Sequence, residues 1–172
     1  PTSTSTGTNG FKRPPPQPQP QPQPTRQAPP TPPAKMDAAQ LAQVEALCET
    51  LYNSADEAAR SHAQNQLLSL QTSAERIPQC QYILDNSENA YALLLASSSL
   101  TRLISNHWNN FTSPQRVEIR NYILNYLGSV GPGLTDYVRT SLIQLLCRIT
   151  KLGWFDDQRH REVVDAVMRF LQ

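Results

Sequence analysis

The residues of this 172-residue chain that could carry chemistry are three histidines, His62, His107 and His160, and the adjacent carboxylates Asp156 and Asp157. A metal site needs several His, Cys, Asp or Glu ligands converging from helix-compatible spacings, and the histidines fall on separate predicted helices or loops. Asp156-Asp157 followed by His160 is the closest approach to an acid/base cluster. Beside a helix end it reads as solvated carboxylates and an N-cap rather than a proton-transfer pair. Cys48, Cys80 and Cys147 are odd in number and far apart, which suits reduced core thiols. No phosphate-cradling glycine loop, dinucleotide fingerprint, nucleophile elbow or His-Glu-x-x-His helix occurs. The expectation is therefore no catalytic residue, no metal, no cofactor and no enzyme activity.

Composition divides the chain in two. Twelve of the 15 prolines precede Met36, including an almost strict Pro-Gln alternation from Pro16 to Pro24. Residues 1–35 cannot bury enough apolar surface to offset their ordering entropy, so a disordered or polyproline II tail is expected. Its P-x-x-P registers also suit aromatic grooves, which leaves open an adaptor role for the tail. Lys12, Arg13, Arg26 and Lys35 are its only charges, which leaves 11 basic residues against 14 acidic ones from residue 36 onward. That balance speaks against nucleic-acid binding, which normally needs a basic face. No apolar run reaches the roughly 18 residues of a membrane span, so no membrane insertion is expected. The absence of a secretory signal pattern points to the cytosol or nucleus. Because a helical pattern runs to Leu171-Gln172, the chain is expected to be a fragment.

Residues 36–172 read as one all-α domain. Leu41, Val44, Leu47, Cys48, Leu51 and Tyr52 recur at helical steps and predict a helix from Asp37 to Asn53. Ser54 and Glu57 have capping-box spacing, predicting a second helix from Ala55 to Ser73 with Ala59, Ala63, Leu67 and Leu70 inward. A short helix should run from Pro78 to Leu84, and a longer one from Ser87-Glu88 to Asn106. The latter is apolar almost all round, as a helix with neighbours on several sides would be. Thr112 to Gln115 announce another helix, expected to run from Pro114 and stop at Gly128. Leu134 to Leu152 follow as one long stripe closed by Gly153, and a last helix starts near Arg161.

These elements suggest about three HEAT-like pairs forming a short α-solenoid. The long helices centred near 45, 97 and 142 are taken as first members, those near 64, 121 and 166 as second members, and 74–86 as an insertion. Within Arg116–Leu127, Val117, Ile123, Leu124 and Leu127 pack inward while Glu118, Asn121 and Asn125 share a face. A solenoid offers surface rather than a pocket, so binding is the expected activity.

Specific segments then carry a resemblance. IRNYILNYL at 119–127 and RITKLGWFD at 148–156 resemble the N-terminal region of the exportin-7 and Ran-binding protein 16/17 group of karyopherin-β transport receptors. LAQVEALCETLY at 41–52, YALLLASSSLTRLIS at 91–105 and VMRFLQ at 167–172 follow in the same order. The resemblance covers Leu41 to Gln172 and leaves the Pro-rich tail without a counterpart. It implies an importin-β N-terminal domain within 36–172 that binds Ran in its GTP form through second helices. It also implies protein cargo, contacts with nucleoporin Phe-Gly repeats, and shuttling between nucleus and cytoplasm through the nuclear pore. Carried onto this chain, the implied Ran contacts are Gln64, Asn65, Glu118, Asn121, Asn125, Asp165 and Arg169. Trp154 and Phe155 are expected to act as a buried aromatic staple that locks the turn after the long helix. The alternatives are a HEAT-repeat scaffold unrelated to nuclear transport and a Pro-rich adaptor. Removing residues 1–35 abolishes binding only in the adaptor, and only the transport reading requires sensitivity to a GTPase's nucleotide.

Overall fold

The computed structural model describes residues 1–4 and 36–170. The chain divides into units Pro1–Thr31 and Pro32–Gln172. In the first, the described residues Pro1 to Thr4 are exposed and carry no helix or strand. The expected tail disorder lies otherwise outside the described residues.

The second unit is all-α. Its described residues form α1 (Ala38–Asn53), α2 (Glu57–Leu67), α3 (Ile77–Asn86), α4 (Ala90–His107), α5 (Ser113–Val130), α6 (Asp136–Gly153) and α7 (Val163–Phe170), with no strand. Caps set the starts. Asp37 accepts from the Gln40 amide at 2.8 Å while the Gln40 side chain accepts from the Asp37 amide at 3.1 Å, a reciprocal box that opens α1. Thr112 and Gln115 form the same box before α5. The second helix starts later than Ser54 suggests. Asp56 caps α2 through the Ala58 amide, and Ser54 instead accepts from the Asp56 amide at 3.1 Å. Asn89, not Ser87-Glu88, caps α4 by accepting from the amides of Tyr91 and Ala92. Gly128 does not stop α5, which runs to Val130, because Gly131-Pro132-Gly133 supplies the turn.

The pairing differs from the sequence expectation. α1 packs on α2, α3 on α4, and α5 on α6, while α4 lies against both α1 and α6. Residues 74–86 are therefore no insertion, because α3 within them is the first helix of the second pair. A ten-residue helix reads weakly in sequence, but it presents Ile77, Cys80, Ile83 and Leu84 to the core. Among the described residues there are three pairs, the first as expected and the second and third offset by one helix, with α7 following the third.

Hydrogen bonds between successive pairs give the repeat directly. They link Tyr122 to Gln81, Tyr126 to Leu84, Ser97 to Ser141 and Arg148 to Ser105, at separations of 41, 42, 44 and 43 residues. These fall within the roughly 40 to 47 residues of HEAT and armadillo units. The core runs through the middle of the stack, where Leu100, Leu103, Ile104, Leu142, Leu145 and Ile149 are at most 1% exposed. As the sequence predicted, α4 is covered on several sides.

Candidate functional site

A helix stack exposes rows of side chains, so its candidate sites are faces. α5 pairs with α6 as the first helix of its pair, which changes the placement of five of the seven implied contacts. All seven are exposed. Gln64 and Asn65 stand on α2, a second helix. Glu118, Asn121 and Asn125 share one face of α5, and Asp165 and Arg169 stand on α7. The expected single row on second helices is not formed, because only α2, α4 and α6 hold that position.

The second-helix face has a polar ladder that the sequence reading missed. Arg102 on α4 donates to the Gln71 side chain just past α2 at 3.0 Å, and Arg148 on α6 donates to Ser105 on α4 at 3.0 Å. These bonds order two arginines along one face, with exposed Ser98 and Gln144 a turn away from them. The signal was available in the spacing between Arg102 and Arg148, which is close to one repeat.

The first-helix face is built differently. The Tyr122 hydroxyl donates to Asp85 Oδ1 at 2.8 Å and the Tyr126 hydroxyl to the Leu84 carbonyl at 2.9 Å, so two phenols from α5 brace α3. Burial first, then the hydrogen bond to Asp85, pushes the Tyr122 phenol above its ordinary range and keeps it a donor. Tyr122 lines a groove of about 570 Å³ together with Ile77, Pro78, Phe111 and Ile119.

The end of α6 overturns the aromatic staple. Phe155 is 92% exposed and Trp154 is 38% exposed. The space over the turn is filled instead by His160, fully buried and edge-on to Trp108 at 5.8 Å. A Cβ on Gly153 would stand closer than 3.0 Å to the His160 ring, so the histidine lies where any larger residue would stand. Around them the Trp108 indole donates to Asp156 at 3.1 Å, and Arg116 reaches the same carboxylate at 2.5 Å while lying 5.0 Å over the indole. Asp157 accepts from Ser113 and, at 2.6 Å, from Arg159, whose hydrogen bond holds its carboxyl well below the usual range. Asp157 also caps the short turn through the Arg159 amide. The carboxylates are thus a loop cap and a lock, and His160 is core rather than solvated. Burial, followed by the nearby Arg120 charge, lowers the His160 pKa. The neutral ring suits a buried site.

Burial also pushes the Cys48 and Cys80 thiols up to about 12, so both are protonated core groups, while Cys147 is exposed. Among the described residues no three His, Cys, Asp or Glu side chains converge on a metal-sized space. No described helix is long and apolar enough to cross a membrane.

Comparison with known proteins adds to this geometry. The importin-β N-terminal domain matches residues 63–129, from the middle of α2 to the end of α5. The chain is 43% identical to exportin-7-A of Xenopus laevis over 136 residues, 77% of this chain and 12% of that protein. It is 39% identical to Ran-binding protein 16 of Drosophila melanogaster over 134 residues, 76% of this chain and 12% of that one. With Ran-binding protein 17 of Homo sapiens the identity is 42% over 136 residues, again 77% and 12%. The matched segment thus spans about an eighth of each relative's length. No solved structure matches the chain.

Proposed function

This chain belongs to the exportin-7 and Ran-binding protein 16/17 group and carries an importin-β N-terminal domain, and from that premise we propose that it is the Ran-GTP-binding segment of a nuclear transport receptor. The observation that carries the reading is the identity itself, 43% over 136 residues and 77% of this chain. Two relatives are named for binding Ran, and the third is named an exportin. On this reading residues 36–172 are the domain, protein cargo and nucleoporin Phe-Gly repeats are the further partners, and the receptor shuttles between nucleus and cytoplasm.

The mechanism is linkage without catalysis. A GTPase that prefers one arrangement of the stacked pairs changes cargo affinity by the same factor by which cargo changes GTPase affinity. The contact set is Gln64, Asn65, Glu118, Asn121, Asn125, Asp165 and Arg169, to which the ladder adds Arg102 and Arg148. Because these residues occupy different helices of their pairs, substitution on each face separates the contributions.

The test is titration of the full 172-residue chain with Ran carrying a non-hydrolysable GTP analogue or GDP, read by calorimetry. Binding confined to the GTP form supports the proposal. Equal affinity for the two forms overturns it. With the GTP form, Arg148→Glu reports on the second-helix face and the Asn121→Ala/Asn125→Ala pair on α5.

A further inference from the structure

Of the residues lining the groove between α3 and α5, the GTPase reading uses only Glu118. The groove's apolar lining residues include Ile77, Pro78, Phe111 and Ile119, and its two charged lining residues are Asp85 and Glu118. No Lys, Arg or His is among its described lining residues. At about 570 Å³ it falls within the range of small-ligand sites. A hydrophobic peptide would leave both carboxylates without a counter-charge. A metal ion lacks a third ligand, since no such cluster of three occurs among the described residues.

One side chain matches both parts of the groove at once. Arginine has an apolar three-carbon stem that can lie along aliphatic and aromatic walls, and a planar head with five donors for carboxylates. Its guanidinium also gains from lying over an aromatic face such as Phe111. We propose that the α3–α5 groove is a docking site for an extended, arginine-bearing partner peptide, with the arginine stem on Ile77, Phe111 and Ile119 and its head between Asp85 and Glu118. The argument for this occupant is charge complementarity: each ionised lining group carries the same sign. Asp85 is pre-positioned because the Tyr122 hydroxyl holds its Oδ1 at 2.8 Å, so little ordering cost falls on binding. Glu118 is exposed and so accessible to an incoming cation.

The test uses the full 172-residue chain and no GTPase, so its outcome is independent of the transport reading. A fluorescein-labelled hexapeptide with two central arginines is titrated by polarisation beside the same peptide carrying citrulline, which keeps the shape and removes the charge. Saturable binding of the arginine peptide, weakened about tenfold or more by citrulline, is expected for charge-assisted pairing. Glu118→Gln, on an exposed position with no folding role, weakens it about threefold or more, while Glu88→Gln makes the same charge change outside the groove and leaves affinity unchanged. Three results overturn the site: citrulline binding as tightly as arginine, Glu88→Gln weakening binding as much as Glu118→Gln, or no saturable binding of the arginine peptide.

Discussion

The seam between α4 and α6 and the seam between α3 and α5 join the same two helix pairs, at nearly the same residue offset, by opposite means. α4 and α6 meet through small and aliphatic side chains. Ser97 and Ser141 touch at 2.7 Å, and Leu100, Leu103, Leu142 and Leu145 are shut off from solvent. Close packing of these side chains, with the Ser97–Ser141 and Arg148–Ser105 hydrogen bonds, sets the register there. α3 and α5 are instead held by the hydroxyls of Tyr122 and Tyr126, and long phenols keep the helices far enough apart for a groove. Aliphatic burial is concentrated in the α4–α6 seam and the open groove lies in the α3–α5 seam. A solenoid can vary its surface in this way without losing its repeat.

That contrast can be broken most directly in the closed seam. Leu142→Ala should cost about 2 to 5 kcal/mol in denaturant unfolding, as a cavity at a fully buried leucine does. A loss under about 1 kcal/mol would mean that the α4–α6 seam is not the main source of cohesion. Gly153→Ala comes next, because its Cβ would meet the His160 ring closer than 3.0 Å. Overpacking of that kind costs about 1 to 3 kcal/mol, and the combination Gly153→Ala/His160→Ala should recover part of it. In the open seam Tyr126→Phe removes one hydrogen bond to a carbonyl and should cost only about 0.5 to 1.5 kcal/mol. A cost matching that of Leu142→Ala would erase the distinction between the seams.

Acid sharpens the picture at the α6 turn. His160 has a folded-state pKa below the ordinary histidine value near 6.5, so below about pH 6.5 the unfolded chain takes up a proton that the folded chain resists. Stability from this group is complete above that pH and falls as the solution is acidified toward the folded pKa. Melting at pH 7.5 and 5.5 should show this loss, and His160→Leu should make the slope shallower. An unchanged slope would place the acid response elsewhere. The smallest effect is expected at Phe155→Ala, within about 0.5 kcal/mol of the parent, because that ring is 92% exposed.

Periodicity located the helices because each long one carries an apolar stripe that only burial explains. It found the helix at Pro78–Leu84 but set it aside as an insertion, because its ten residues give too few turns for a clear stripe, and that one assignment displaced every later pair by one helix. It also misassigned the aromatic lock. Trp154 and Phe155 stand where a buried staple was expected, yet the Trp108–His160 contact across 52 positions occupies that volume. A histidine beside two aspartates resembles a solvated loop until its neighbours are known. The ladder of Arg102 and Arg148 was missed for a related reason, since each reads alone as an exposed charge.

By itself the sequence determined that residues 36–170 form helices and no strand, roughly where most helices start and stop, and which family they resemble, because stripes, caps and motif strings are local properties. The tertiary structure decided which helices pair, which polar residues share a face, and that Asp85 and Glu118 flank one groove. These depend on contacts between residues about 40 positions apart, whose geometry is set by how the intervening side chains pack.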